Sequence, residues 1–570
     1  MRPFPARRIA LLFLAAGVSA GSMARPAFGD ERGEQIDRIF AAYGNPDSPG
    51  CAVVVLHHGH VIHRRGYGRA HLEWDAPVTP STVFHVASVS KQFTALAVAL
   101  LAEQGKLSLD DDIRTYVPEL PDYGPVITLR HLLQHTSGLR DVWQLGGFAG
   151  WRPGDLVTDR DVLDLAVRQK ALDFKPGDRH VYGNTGYTLA AVVVRRVSGQ
   201  SLRAFTDAHV FKPLGMKDTH FHDDHAEVVK NRASAYSLRA GRPAVAVPAF
   251  DAVGSTGLFT TADDLALWDQ NFYDRRVGGK SALDRLLTPG KLNSGEPVRY
   301  GHDLGYGLGL VIGRYRGLKA VGHGGADRGY RAEYLRFPEQ RFAVIILGNL
   351  ETLQPYFLAR QVADVCLAGE FREGPARGAK RADAAAAPVA VSERELAAWA
   401  GTYWNPDTGA TWKFSVKDGK LRIGLRELTA LAADRFAIGD LPIELVFTPA
   451  REGAPRKLTW VDVSSEVYEA VPELTLTAAQ LDEYVGTYRS DELNTAFTLT
   501  VRGGELVVRG ARDDYGPLRP VVVDGFSLRP PQLPMAVVRF TRNGRKELTG
   551  FTLRTERCKD IRFVKTGAAG

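Results

Sequence analysis

The stretch that decides the fold is Phe84-His85-Val86-Ala87-Ser88-Val89-Ser90-Lys91, which contains the only Ser-x-x-Lys tetrad of the chain. Apolar residues recur after it as far as Leu101, and Gly105 follows. This pattern predicts a helix that begins near Ser88 and ends at the glycine. Side chains three residues apart lie on one face of a helix, so the Ser88 hydroxyl and the Lys91 amine can meet.

The tetrad suits nucleophilic catalysis, because a free serine hydroxyl is a weak nucleophile and needs an adjacent base. Lys91 can be that base only if burial or a neighbouring charge lowers its pKa from about 10.4. Backbone N–H groups at a helix N-terminus could also stabilise a developing oxyanion. Taken alone the tetrad is a weak signal, since Ser88 could be a helix cap and Lys91 a solvated charge.

Two further motifs strengthen the catalytic interpretation. Tyr182-Gly183-Asn184 offers a phenol that could relay protons and an amide that could hold a substrate carbonyl, although a buried tyrosine beside a turn asparagine would look the same. His323-Gly324-Gly325 precedes the strand-like segment Arg331–Phe337. Its glycines would let an extended substrate approach an edge strand, although a lone motif of this kind is more often only a turn.

In this order the three motifs resemble the serine β-lactamase and penicillin-binding protein family, over roughly residues 33–368. The segments 132–139, 213–216 and 254–258 also match the family's sequence pattern, and the sequence is most similar to the class C β-lactamase branch. The resemblance implies an α+β catalytic domain of the β-lactamase/transpeptidase type, an antiparallel sheet with helices. Apolar strands at 51–56, 332–337 and 342–347 fit a domain whose first and last strands share one sheet.

The resemblance also implies an acyl-enzyme mechanism that needs no metal and no cofactor. Ser88 would attack an amide or ester carbonyl with help from Lys91 and Tyr182, and Asn184 would orient the substrate. The backbone N–H groups of Ser88 and of Ala326, which follows Gly325, would form the oxyanion hole.

His323 departs from the family pattern, which usually has Lys-Thr-Gly at the third motif. A neutral imidazole binds a carboxylate less well than a lysine does, so β-lactamase and carboxypeptidase activity are in doubt. The His-x-Gly motif, followed by further β-domains, looks like the D-stereospecific aminopeptidases of this family. The alternatives are an esterase acting on small acyl esters, a β-lactamase, and a non-catalytic sensor or scaffold.

The chain after the catalytic region repeats itself. Gly401-Thr402-Tyr403 recurs as Gly486-Thr487-Tyr488, and Trp412, Gly419 and Leu421 recur as Phe497, Gly504 and Leu506 at the same spacing. We therefore expect two small antiparallel β-barrels or sandwiches at 394–475 and 476–570. The rest of the chain is then divided into a signal peptide at 1–29, a catalytic domain at 30–368 and a linker at 369–393.

The N-terminus predicts export to the periplasm or the medium. Arg7 and Arg8 precede the apolar run Ile9–Ala16, which is too short to span a bilayer. The formal net charge is +7, and four arginines within residues 1–29 supply most of it. Without a basic stripe elsewhere, we expect no nucleic-acid partner. Expected partners are small peptide, amide or ester substrates, including cell-wall peptides; the sequence leaves the oligomeric state open.

One histidine cluster could suggest a metal site. It consists of His220, His222 and His225 with Asp223 and Asp224. No second ligand group at a known spacing accompanies it, so a solvated loop is the preferred interpretation.

Overall fold

The computed structural model describes residues 28–301, 304–373, 389–405, 408–439, 443–461, 465–531 and 533–567. The predicted signal peptide falls almost entirely outside the described residues, as does most of the predicted linker. Within the described part, no helix combines the length and the apolar character needed to cross a membrane.

A seven-stranded antiparallel sheet forms the centre of the catalytic domain. Cys51–His57 pairs with Phe342–Gly348 along its whole length. The first and last long strands of the domain therefore share one sheet, as the sequence predicted, and they are neighbours in it. Cys51–Leu56 is one apolar run because helices cover both faces of the sheet. The strands, in spatial order, are Gly305–Tyr306, Val311–Tyr315, Leu318–Asp327, Tyr330–Phe337, Phe342–Gly348, Cys51–His57 and His60–Tyr67.

Helices cover both faces of this sheet. Phe28–Ile39 and Pro355–Cys366 pack on one face, and the large helical region lies on the other. The remaining α-helices of the domain are Lys91–Glu103, Leu129–Leu133, Val142–Phe148, Asp159–Val167, Thr185–Ser198, Leu202–Thr206, Lys212–Leu214, Ala262–Asp274 and Gly279–Leu286. Three-residue or four-residue 3₁₀ turns occur at Ala41–Tyr43, Ala87–Ser90 and Ile113–Thr115, and a π turn at Asp207–Phe211.

Seven short strands complete the catalytic domain and lie outside the main sheet. They form small sheets of two or three strands between the helices. They are Arg69–His71, Ala76–Pro77, Phe84–His85, His220–Phe221, Tyr236–Arg239, Arg242–Val245 and Leu258–Thr260.

Helix Lys91–Glu103 lies at the centre of the helical region and is apolar around nearly its whole circumference. A helix of this kind is buried on all sides. It packs against Thr185–Ser198 and Gly279–Leu286. The sequence predicted one helix from Ser88 onward, whereas the structure begins with the 3₁₀ turn Ala87–Ser90 and becomes α-helical at Lys91.

The repeated region forms two closed antiparallel barrels of eight strands each. A short helix precedes each barrel, Glu393–Trp399 in the first and Ala478–Glu483 in the second. The first contains Gly401–Trp404, Thr411–Lys417, Lys420–Ile423, Arg426–Ala432, Arg435–Ile438, Glu444–Thr448, Lys457–Val461 and Ser465–Val471. The second contains Gly486–Ser490, Thr495–Arg502, Glu505–Arg509, Asp514–Val522, Gly525–Leu528, Ala536–Arg542, Leu548–Arg554 and Ile561–Gly567.

The sequence repeat has a structural counterpart in the two barrels. Tyr403 and Tyr488 occupy matching positions on the first strand, and both are fully buried. Each hydroxyl donates to the carbonyl oxygen four residues earlier, over 3.1 Å to Trp399 and 2.9 Å to Tyr484. The repeated tyrosine therefore ties the preceding helix to its barrel in both copies.

The second barrel packs directly on the catalytic domain. Val142, Leu145 and Phe148 share one apolar core with the barrel interior. The Tyr515 hydroxyl donates to the Gly147 carbonyl oxygen over 2.9 Å. Buried Arg140 also forms an ion pair with Glu492 of the barrel. This interface encloses the segment that follows Arg140, which contributes to the site described next.

Candidate active site

The structure brings Ser88 and Lys91 into direct contact. Lys91 Nζ donates to Ser88 Oγ over 3.0 Å, to Asn184 Oδ1 over 3.0 Å and to the Ser255 carbonyl oxygen over 2.8 Å. Lys91 is fully buried, whereas Ser88 is partly exposed. Asn184 and Ser255 thus hold the amine beside Ser88, and in the neutral form its two N–H groups can bond these two acceptors while its lone pair faces the Ser88 hydroxyl.

The surroundings of Lys91 favour its neutral form. Burial, opposed by the Asp141 charge and aided by the Arg557 charge, lowers the pKa of Lys91 to about 7. A lysine with a pKa near neutrality can accept a proton at physiological pH. The pKa of Lys91 is therefore lowered, as the sequence analysis required for a base next to Ser88.

The aromatic ring of Tyr182 lies close to the Lys91 amine. Lys91 Nζ is 4.9 Å from the centroid of the Tyr182 ring. Burial raises the pKa of Tyr182, and its interaction with the Ser88 hydroxyl opposes that rise. The phenol therefore stays protonated at neutral pH and can donate a proton towards the space in front of Ser88.

Asn184 immediately precedes helix Thr185–Ser198, and Asp141 fixes its orientation. Asp141 Oδ2 accepts from the Asn184 backbone N–H over 2.7 Å and from Nδ2 over 2.8 Å. Because Nδ2 donates to the carboxylate, Oδ1 is directed at Lys91. In this structure the amide therefore orients the lysine.

Strand Leu318–Asp327 brings the third motif to the site. Gly325 packs so closely on the segment before Ser88 that a Cβ atom there would lie 2.1 Å from the Val86 carbonyl oxygen. A glycine is therefore required if the strand is to approach the nucleophile. The same approach places Ala326 next to the 3₁₀ turn Ala87–Ser90, where its backbone N–H is the predicted second oxyanion donor.

His323 is buried beside the lysine. Burial and the charge of Lys91 lower the pKa of His323 to about 4, and a hydrogen bond to the Gly324 carbonyl oxygen opposes the shift. Nδ1 donates to that carbonyl oxygen over 2.6 Å, so Nδ1 carries the proton. The imidazole is neutral at pH 7 and supplies no positive charge to a substrate.

Six of the seven predicted site residues, all except buried Lys91, line one large cavity of about 2820 Å³. Ser88, Tyr182, Asn184 and His323 line it, as do Gly325 and Ala326. The barrels also contribute, with Ile443 from the first barrel and Leu533 and Arg557 from the second. The cavity is therefore shared by the three structural units.

Sequence reasoning missed three residues of the site. Asp141 orients Asn184, and the Arg557 guanidinium lies 5.2 Å from the centroid of the Tyr182 ring. His135 Nδ1 accepts from the Gly183 N–H over 3.2 Å, and its Nε2 bonds the Tyr306 hydroxyl over 3.0 Å. His135 lies in a phrase that matched the family, so a signal existed for it. Nothing near Asp141 or Arg557 in the chain distinguished either residue.

The histidine cluster differs only in part from the predicted solvated loop, since Asp224 and His225 are exposed outside any strand or helix. His220 belongs to a short strand and His222 is buried, with His220 Nε2 and His222 Nδ1 3.4 Å apart. Glu227 lies beside them but accepts hydrogen bonds from Arg203, over 2.8 Å at one of its oxygens. A cation at this cluster would meet the Arg203 charge, so the geometry supplies no argument for a metal.

Comparison with known proteins identifies the family. The Beta-lactamase family matches residues 36–367, and the chain belongs to this family of serine hydrolases. "Penicillin-binding protein 4*" of Bacillus subtilis is 27% identical over 455 residues, which are 76% of this chain and 97% of that protein. A D-aminopeptidase of Brucella canis is 28% identical over 479 residues, which are 82% of this chain and 84% of that protein.

A solved structure shows the same fold. The octameric penicillin-binding protein homologue from Pyrococcus abyssi has a TM-score of 0.55 and 24% sequence identity. The match covers 85% of this chain and 98% of that one. The α+β catalytic fold predicted from the three motifs is confirmed.

Proposed function

We propose that the protein is an exported amidase that cleaves short peptides containing D-amino acids through an acyl-enzyme on Ser88. The contact between Lys91 Nζ and Ser88 Oγ carries this proposal, because it joins a nucleophile to a base whose pKa is about 7. The D-aminopeptidase of Brucella canis, which aligns with 82% of the chain, supports the substrate class. The Arg7–Ala16 segment supports export.

The acylation step follows from the geometry. Ser88 Oγ attacks the amide carbon while its proton passes to the neutral Lys91 amine. The backbone N–H groups of Ser88 and Ala326 stabilise the oxyanion. Protonation of the leaving nitrogen through Tyr182 then breaks the C–N bond, and Lys91 restores the tyrosine proton.

Deacylation repeats these transfers with water. A water molecule attacks the ester of Ser88, and its proton passes to the neutral Lys91 amine, directly or by relay through the Tyr182 hydroxyl, which gives up one proton as it takes another. The acyl group leaves as a carboxylic acid and Ser88 recovers its hydroxyl proton. Asn184 keeps the lysine aimed at the reacting oxygen throughout.

The neutral His323 argues for acyclic peptide amides over β-lactam antibiotics. β-Lactam antibiotics carry a carboxylate that a lysine at the third motif would bind. The neutral His323 supplies no positive charge at that position. Amide hydrolysis depends on the Ser88, Lys91 and Tyr182 arrangement, which is complete in the described residues.

The test is an assay of the purified protein on D- and L-alanyl anilides, a short acyl ester, a chromogenic cephalosporin and an acyl-D-Ala-D-Ala peptide. Ser88→Ala is the inactive variant, and Ser294→Ala, at an exposed loop serine, is its matched control. We expect turnover of the D-anilide that is lost only in Ser88→Ala. Turnover of the ester alone would indicate an esterase, and cephalosporin hydrolysis would indicate a β-lactamase.

A further inference from the structure

We propose that Arg557 of the second barrel forms a carboxylate-binding subsite of this active site. The substrate would then carry a free carboxylate on the leaving-group side of the scissile amide. This inference rests on the proposed function and names its substrate class more closely: short peptides with a free C-terminus.

The loop that carries Arg557 is held firmly at the cavity wall. It connects Leu548–Arg554 with Ile561–Gly567. The Arg557 carbonyl oxygen accepts from the Asp141 N–H over 3.1 Å. On one side the Thr555 hydroxyl donates to Gln144 Oε1 over 2.5 Å, and on the other the Lys559 N–H donates to Asp173 Oδ1 over 2.7 Å. The side chain therefore enters the cavity from a backbone that is fixed on both sides.

The guanidinium retains hydrogen-bond donors for a ligand. The side chain is 30% exposed and donates no hydrogen bond to any described residue, so its terminal Nη groups can reach a ligand, while Nε is buried without a partner. The neighbouring carboxylate of Glu556 lies 3.8 Å from Nε, beyond hydrogen-bonding distance. Nearby Asp141 already uses both oxygens, accepting from Asn184 and from the N–H groups of Trp143 and Gln144.

Two of the other arginines that line the cavity are already engaged in hydrogen bonds. Arg360 donates to Glu333 over 3.2 Å. Arg331 donates to two backbone carbonyl oxygens. An arginine that lines the same cavity as Ser88 and whose guanidinium donates no hydrogen bond to a described residue matches a carboxylate, which can accept two parallel N–H bonds.

The position of Arg557 indicates which side of the substrate it binds. Its guanidinium lies 5.2 Å from the centroid of the Tyr182 ring, and Tyr182 is the proposed proton donor to the leaving nitrogen. A group that reaches Arg557 therefore belongs to the leaving part of the peptide. Because His323 is neutral, Arg557 would supply the positive charge that the third motif lacks.

The test compares two peptides that differ only in charge, D-Ala-D-Ala and its C-terminal amide. We expect wild-type kcat/KM to favour the acid by about 10- to 100-fold, as charge-assisted hydrogen bonds allow. Assayed at a pH above the rising limb of each variant's pH profile, Arg557→Gln should lose this preference through a fall on the acid alone, and Arg557→Lys should keep part of it. Arg545→Gln, at an exposed turn of the same barrel, is the control and should behave as wild type.

A binding measurement separates this inference from the proposed function. In a Ser88→Ala background, calorimetry should show tighter binding of the acid than of the amide, and Arg557→Gln should abolish the difference. Equal binding of the two peptides before Arg557 is changed overturns the subsite, whatever the turnover. A clear binding preference without turnover in the wild type would retain the subsite and reject the amidase function.

Equal losses of kcat/KM on both peptides in Arg557→Gln would also overturn the subsite, since they would indicate a structural role. The melting temperature of each variant, compared with wild type, shows whether the barrel remains docked.

Discussion

Asp141 Oδ2 accepts two hydrogen bonds from Asn184, one from the backbone N–H at 2.7 Å and one from Nδ2 at 2.8 Å. This pair determines which end of the amide faces Lys91. Asp141 also caps helix Val142–Phe148 through its other oxygen, and its backbone bonds Arg557. One carboxylate therefore connects the proposed base, the following helix and the second barrel.

We expect Asp141→Asn to reduce kcat/KM on the D-anilide by about 10- to 100-fold, the effect of losing a positioning group near reacting atoms. The new amide can still cap the helix, because asparagine is as good a cap as aspartate, so the melting temperature should change little. Asp161→Asn, at an exposed helix terminus, is the matched control. Full activity in Asp141→Asn would show that Asn184 needs no carboxylate to direct it.

The pH profile should report Lys91. Because the reaction needs the neutral amine and its pKa is about 7, kcat/KM should rise with pH through about 7 and level off above it. Arg557 lowers the pKa of Lys91, so Arg557→Gln should move this rising limb to higher pH. A profile that is flat between pH 6 and 8 would contradict Lys91 as the base.

The pKa of Lys91 also predicts a dependence of stability on pH. The pKa is lower in the folded protein than the unfolded value of about 10.4, so the unfolded chain binds more protons between about pH 7 and 10.4. This residue's contribution to the free energy of unfolding therefore rises with pH across that interval. Chemical denaturation at several pH values should show a steeper rise for wild type than for Lys91→Met.

Gly325→Ala should remove activity and destabilise the protein by about 1–3 kcal/mol, the usual cost of overpacking. The added methyl would lie 2.1 Å from the Val86 carbonyl oxygen and would push strand Leu318–Asp327 away from Ser88. Gly369→Ala is the control, since a Cβ there meets nothing within 4 Å. Kinetics and thermal unfolding measured together test both effects, and wild-type activity would contradict the close packing.

Glu492→Gln should destabilise the attachment of the second barrel. It removes the ion pair with Arg140, whose side chain is only 2% exposed, and breaking a buried pair costs about 3–5 kcal/mol. Arg140 keeps Asp173, which places the expected loss at the lower end of that range, about 3 kcal/mol. Arg489→Gln, an exposed charge on the same barrel, should leave the melting temperature unchanged. Equal melting temperatures for both variants would show that the pair contributes nothing to docking.

Much of the fold could be predicted from the sequence, because the helices and strands concerned depend on residues that are close together in the chain. A Ser-x-x-Lys tetrad at a helix start places the two side chains on one face, and apolar runs such as Cys51–Leu56 predict buried strands. The repeat beginning at Gly401 and Gly486 predicted two β-domains, which are two closed barrels. The proposed roles of Ser88, Lys91, Tyr182 and Asn184 came from the same local motifs and remain predictions.

Only the tertiary structure shows which groups from distant parts of the chain surround Ser88. The low pKa of Lys91 depends on burial by helices far apart in the chain, and Asp141 reaches Asn184 only because their loops pack together. Arg557 comes from the end of the second barrel, more than 400 residues after Ser88. A hydrogen bond or a charge acts over a few ångströms in space and leaves no periodic trace in the sequence, so only the folded chain shows it.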